Sequence, residues 1–280
     1  MLQPEAFDLT ASSGVLHAQR WGPADAPLTL CVHGLSANLH AFDYLAERLA
    51  GPERQVVAFD LRGRGRSETT APGSYGLSAH ADDVLETATA LGADHFDLIG
   101  WSLGALIGIT VAGVAAERIR TLTLIDHCNR EELAAYTAVR QGLNRLDAVV
   151  NRPEDYLAAI RAAGLATPWN SYWERFYAYE LGPVGDRFSP ITDKTAGVED
   201  LDSPGRDQVA AAWPKITMPA LLIRATVGIG GGLIVPESDR DAIQQAVPTL
   251  RVVELDRNHF GIMTDDRSVA AISQLLAVPY

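Results

Sequence analysis

The stretch His95-Phe96-Asp97-Leu98-Ile99-Gly100-Trp101-Ser102-Leu103-Gly104-Ala105-Leu106-Ile107-Gly108-Ile109-Thr110-Val111-Ala112 decides the fold. It reads as a short apolar strand, a G-x-S-x-G turn and an apolar helix. A serine on so sharp a strand-to-helix turn is held in a strained backbone conformation. Its hydroxyl stands above the sheet and the helix N-terminus lies beneath it, which is where a nucleophile is wanted. Gly100 and Gly104 have a steric task, because a side chain at either position would strike the neighbouring strand or helix.

Outward from this turn, runs rich in Val, Ile and Leu alternate with helical stretches, the pattern of a mainly parallel sheet covered on both faces. Strands are expected near 6–10, 15–21, 28–33, 55–60, 96–100, 120–126, 219–224 and 250–255. The first two, joined by Ala11-Ser12-Ser13-Gly14, form an antiparallel hairpin at one edge. Helices are expected at 41–50, 78–91, 103–116, 237–246 and 267–277. Pro236, Glu237 and Asp239 announce the fourth, and Asp265 and Asp266 the fifth. From about 128 to 215 the alternation stops and aromatics accumulate: Tyr136, Tyr156, Trp169, Tyr172, Trp173, Phe176, Tyr177, Tyr179 and Trp213. The division expected is a core domain of residues 1–127 and 216–280 with an inserted helical cap of 128–215. Glycines, prolines and acids from Gly182 to Pro204 point to a long loop returning to the core.

Composition narrows the function. Hydrophobic residues make up 47% and charged residues 21% of 280 positions, the balance of an ordinary globular chain. Against 35 acidic side chains stand 23 basic ones, and a formal charge of −12 repels a nucleic-acid backbone or an anionic membrane. The cluster Arg62, Arg64 and Arg66 reads as a solvated loop, since no basic helix face accompanies it. Two cysteines, Cys31 and Cys128, form neither a disulfide framework nor a zinc-ligand spacing. The N-terminus lacks a basic and then apolar leader, and no apolar run reaches the ~20 residues of a membrane span, so the expected location is cytoplasmic.

Four motifs carry a resemblance. His33-Gly34-Leu35 ends the third strand, Asp60-Leu61-Arg62-Gly63-Arg64-Gly65-Arg66-Ser67 follows the fourth, Gly100-Trp101-Ser102-Leu103-Gly104 is the turn described above, and Asn258-His259-Phe260 follows the last strand. In this order the chain resembles the α/β-hydrolase superfamily over roughly 5–127 and 215–278. The resemblance implies an eight-stranded, mostly parallel sheet flanked by helices, and no metal or organic cofactor. It also implies an oxyanion hole made by the backbone N–H groups of Leu35 and Leu103, with the D-x-R-G-x-G-x-S stretch as a structural loop.

Chemistry points to the same residues. Ser102 needs a base, and histidine is the side chain that titrates near neutrality unaided. Of His17, His33, His40, His80, His95, His127 and His259, the last follows the strand 250–255 at the edge where parallel sheets place ligands. It fits the order serine, acid, histidine. His33 is expected to shape the oxyanion turn and His127 to line the pocket. The third member departs from the commonest pattern, because Leu221-Leu222-Ile223-Arg224 is followed by Ala225 to Leu233 without a carboxylate. Some superfamily members place the acid after the sixth strand, and there Asp126 follows Ile125. Glu237 and Asp239 read as helix N-terminal acids, and the glycines of 228–232 as a flexible active-site loop.

The expected function is a serine hydrolase of carboxylic esters or lactones, with Ser102, His259 and Asp126 as its triad. Its partner is a small, apolar or ring-bearing substrate touching Trp101, His127, Trp169, Trp173, Tyr177 and Phe260. Three rivals stay open: a carbon–carbon bond hydrolase with the same triad, a cofactor-free dioxygenase using the His-Asp pair, and a non-enzymatic receptor. The oligomeric state is left open.

Overall fold

Eight strands form one sheet in the computed structural model, which describes residues 3–278. They are β1 (Glu5–Ala11), β2 (Gly14–Trp21), β3 (Leu28–Val32), β4 (Gln55–Phe59), β5 (Phe96–Trp101), β6 (Ile119–Ile125), β9 (Ala220–Ala225) and β10 (Leu250–Leu255). Their spatial order is β1-β2-β4-β3-β5-β6-β9-β10. β2 runs antiparallel to both β1 and β4, and every other neighbouring pair is parallel. The central strands β3, β4, β5 and β9 are buried along their whole length, which is why they read as unbroken apolar runs, whereas β1 at the edge is mostly exposed.

Five helices cover the sheet: α1 (Asp43–Leu49), α2 (Leu77–Ala90), α3 (Leu103–Ala115), α8 (Glu237–Ala246) and α9 (Asp266–Leu276). Val84, Leu106, Ile107 and Ile243 bring α2, α3 and α8 into one buried cluster, and Leu45, Leu49, Ile272 and Leu275 bring α1 and α9 into the other. α3 is apolar on nearly every side because it lies between the sheet, α2 and a long 3-10 segment, Pro204–Lys215.

Between β6 and β9 the chain leaves the sheet. It forms α4 (Leu133–Gly142), α5 (Pro153–Ala163), α6 (Ser171–Tyr179), the antiparallel hairpin β7 (Leu181–Val184) and β8 (Arg187–Pro190), and α7 (Lys194–Leu201). The hairpin and α7 replace the long loop expected from Gly182 to Pro204. Two backbone hydrogen bonds between Val150 and Phe188 tie the hairpin to the preceding segment.

The arginine cluster is also not a solvated loop. Arg62 forks onto Asp83 of α2 with bonds of 2.7 and 2.8 Å, and Arg64 is fully buried in an ion pair with Asp200 of α7. Arg66 alone of the three is exposed. A buried guanidinium is tolerated only when paired and hydrogen-bonded, and both buried members meet that condition.

Candidate active site

Ser102 sits between β5 and α3 with φ 56° and ψ −120°. Among the described residues other than glycine, it and Asp126, with φ 50°, have positive φ. Such conformations cost roughly 1–3 kcal/mol and persist only where the surroundings impose them. Here the Ser102 N–H donates to the Ile125 carbonyl at 2.9 Å. A β-carbon at Gly100 would collide with the Gly104 carbonyl, and one at Gly104 with the Val32 carbonyl, so both glycines have the steric role expected of them. Although Ser102 occupies the helix N-cap, its hydroxyl makes no capping bond.

His259 and Asp126 are buried together, and the Nδ1–H of His259 donates to Asp126 Oδ2 at 2.7 Å. The other carboxylate oxygen accepts from the Ala225 N–H at 2.9 Å, and the Asp126 N–H donates to the Ile223 carbonyl at 2.8 Å. A carboxylate only accepts, so the proton of neutral His259 rests on Nδ1 and Nε2 keeps its lone pair. Trp101 fixes the residue from two directions: its ring lies 5.1 Å from the imidazole, and its Nε1 donates to the His259 carbonyl at 3.2 Å.

His33 lies beneath the turn that carries Leu35. Its Nδ1–H donates to the Gly34 carbonyl at 2.8 Å and its Nε2 accepts from the Leu61 N–H at 3.0 Å. Burial pushes its pKa down to about 3. The unfolded chain therefore binds a proton through pH values where folded His33 stays neutral, so stability from this residue is complete above the unfolded pKa and falls as pH drops toward the folded one. Urea unfolding at about pH 7 and pH 5 should show this residue contributing a loss of roughly 2 kcal/mol on acidification, smaller by that amount in His33→Gln. An equal loss in both proteins would show that His33 takes up its proton without unfolding.

A narrow, mostly apolar cavity of about 100 Å³ opens onto Ser102 and His259. Trp101, Tyr177 and Phe260 line it, together with Phe176, Arg145 and Ile229, which sequence reasoning did not single out. Trp169 and Trp173 do not. Trp169 stacks on Tyr177 at 5.9 Å, and Trp173 is buried against Trp101 and Phe260 at 6.3 and 5.5 Å. His127 lines a separate, smaller cavity with Leu35, Ser102, Leu103, Glu131 and Arg206. Burial pulls its pKa below the usual imidazole range, while Arg206 Nη2 donates to both carboxylate oxygens of Glu131 at 2.8 and 3.0 Å.

The glycine-rich segment folds back through reciprocal bonds between Ile229 and Gly232, and Gly230 and Gly232 press against Ala134, Ala135 and Ala138 of α4. That packing brings Ile229 to the cavity wall. Among the described residues, no three His, Cys, Asp or Glu side chains form a metal-ligand set, and no helix is long and apolar enough to cross a membrane.

Residues 27–266 match the family model described as alpha/beta hydrolase fold, and the chain belongs to that family. Its sequence is 27% identical over 205 residues to the 2-(acetamidomethylene)succinate hydrolase of Mesorhizobium japonicum, covering 71% of this chain and 70% of that protein. It is 37% identical over 108 residues to the 3-hydroxybutyrate-oligomer hydrolase of Cupriavidus necator, covering 38% of this chain and 36% of that protein. The N-formylmaleamate deformylase of Pseudomonas putida is 36% identical over 110 residues, covering 39% of this chain and 40% of that one. Similarity to these last two thus spans well under half their length. A crystal structure of E-2-(acetamidomethylene)succinate hydrolase superposes with TM-score 0.86 at 21% identity, covering 99% of this chain and 100% of that one. At that identity the likeness is one of fold.

Proposed function

We propose that this chain is a serine hydrolase of small carboxylic esters or lactones. The observation that carries the proposal is the pairing of an uncapped, positive-φ Ser102 with a His259 held by Asp126, both serine and histidine facing one cavity. Ser102 Oγ attacks the substrate carbonyl as His259 Nε2 takes its proton. The Leu35 and Leu103 N–H groups receive the developing oxyanion, each worth ~2.7–4 kcal/mol. Collapse of the tetrahedral intermediate expels the alcohol, which takes the proton back from His259, and leaves an acyl-enzyme. Water activated by the same histidine then releases the acid. Asp126 holds the reactive tautomer and stabilises the imidazolium.

The apolar walls favour a substrate whose acyl or alcohol part is hydrocarbon-like, narrow enough to pass between Phe176, Tyr177, Ile229 and Phe260. The hydrolase and deformylase names of the relatives support attack by water on an acyl group. The test is treatment with a fluorophosphonate followed by peptide mass spectrometry, alongside a panel of p-nitrophenyl esters and lactones. A single adduct on Ser102 and turnover of at least one panel member are expected. An adduct on a different serine, or a labelled protein that hydrolyses none of them, would move the function away from ester cleavage.

A further inference from the structure

Two arginines hold successive carbonyls of the turn that carries Leu35. The turn itself is closed by a 3.2 Å bond from the Ala37 N–H to the Gly34 carbonyl. Arg64 donates through Nε to the Leu35 carbonyl at 3.0 Å, while its terminal nitrogens reach the carbonyls of Arg62 and Ala196 and the carboxylate of Asp200. Arg145, in a 3-10 turn after α4, donates to the Ser36 carbonyl at 2.5 Å and the Ser36 hydroxyl at 3.0 Å, and pairs with Glu180 at 2.6 Å.

The countercharges share a feature. Asp200 and Glu180 are each 1% exposed, and both belong to the segment between β6 and β9. Each is held in turn. Asp200 accepts from the Gly76 N–H at 2.7 Å and bonds His80 Nε2 at 2.8 Å, while Glu180 accepts from the Tyr156 hydroxyl at 2.8 Å. A guanidinium can bind a carbonyl and a carboxylate at once through its planar fork, but buried it needs the carboxylate to stay. The turn is therefore gripped by Arg64, whose burial depends on Asp200 of that segment, and by Arg145, which the segment itself carries, so both grips require the segment to be docked.

We propose that Arg64 and Arg145 are positioning residues that set the oxyanion-binding turn through the Leu35 and Ser36 carbonyls, and that docking of Asp200 and Glu180 completes the setting. The proposal rests on the serine-hydrolase reading, in which the Leu35 N–H is an oxyanion donor. The Leu35 N–H lies in one peptide plane with the Gly34 carbonyl, which the Ala37 N–H and His33 Nδ1 hold, and anchoring the Leu35 and Ser36 carbonyls in the next two planes limits how far that plane can turn. A displacement of ~1 Å at such a group can cost on the order of 10² in rate.

Matched oxygen-ester and thionoester substrates read the oxyanion hole directly, because a thiolate formed from C=S is a poor acceptor and gains little from the N–H donors. In Arg64→Lys, Arg145→Lys and Glu180→Gln the ratio of kcat for ester over thionoester should fall about tenfold or more, with KM changing less than about threefold. Arg64 is the member whose replacement threatens folding, so melting curves accompany all three variants and Arg145→Lys, at a partly buried site, carries the test if Arg64→Lys does not fold. Arg152→Lys, in an exposed pair with Asp155, should leave the ratio at its wild-type value. If kcat for both substrates drops together and the ratio holds, the arginines merely support the fold and the proposal is overturned. If wild-type protein hydrolyses neither substrate, the hydrolase reading fails and the clamp fails with it.

Discussion

Ser102→Ala is expected to lower kcat for ester hydrolysis by roughly four to six orders of magnitude while leaving the melting temperature close to that of the parent. The hydroxyl makes no capping bond at the N-terminus of α3, so its removal takes no hydrogen bond from the fold. Alanine also carries the same β-carbon, so the cost of φ 56° at this position is unchanged. What disappears is the atom that forms the acyl bond. Residual turnover should come from the oxyanion donors and from binding alone. Steady-state kinetics and circular dichroism on one preparation check both halves. A variant keeping more than about a tenth of the parent kcat rules out the acyl-enzyme route. The same measurement separates the rival that relies on the His-Asp pair, because proton abstraction for a reaction with O₂ does not pass through the serine and would survive its loss.

The eight-stranded sheet was legible because parallel strands buried on both faces read as continuous apolar runs, and Gly100-Trp101-Ser102-Leu103-Gly104 because its strand, turn and helix are contiguous. Features set by distant partners were not. Arg64 looks like a surface residue until Asp200, 136 positions away, is brought against it by α7. The hairpin of β7 and β8 is rich in glycine and proline, and its pairing is completed by Val150 rather than by any pattern of its own. On α6, Trp173, Phe176 and Tyr177 are all buried, so periodicity marks the inward face but cannot say which ring reaches the cavity and which packs behind it. Arg145 gave no signal, since an isolated arginine in a short 3-10 turn acquires meaning only beside Ser36 and Glu180. Ile229 had a faint one in the glycines around it, which let the loop fold back against α4.

Asp126→Asn should cost on the order of 10⁴ in kcat with little loss of stability, and the reason lies in how its two oxygens are shared. Oδ1 accepts from the Ala225 N–H and Oδ2 from His259 Nδ1–H. An asparagine has one carbonyl oxygen, and the Ala225 N–H, fixed in the backbone of β9, claims it. The amide NH₂ then faces His259. Two donors cannot share that contact, so the imidazole moves its proton to Nε2, the nitrogen that must be free to accept from Ser102. Negative charge beside the imidazolium is lost as well. Glu237 is exposed in the first turn of α8, and Asp239 there accepts from the Asn129 side chain and the Arg130 N–H at 3.1 and 3.3 Å. Glu237→Gln and Asp239→Asn should therefore change stability by only ~0.3–1 kcal/mol and leave turnover alone. β9 supplies a backbone donor to Asp126, and the segment from Ala225 to Leu233 is glycine-rich and free of carboxylates. Near-parental kcat in Asp126→Asn, with activity lost in either α8 variant, would transfer the role to that helix and leave the 2.7 Å contact with His259 as packing alone.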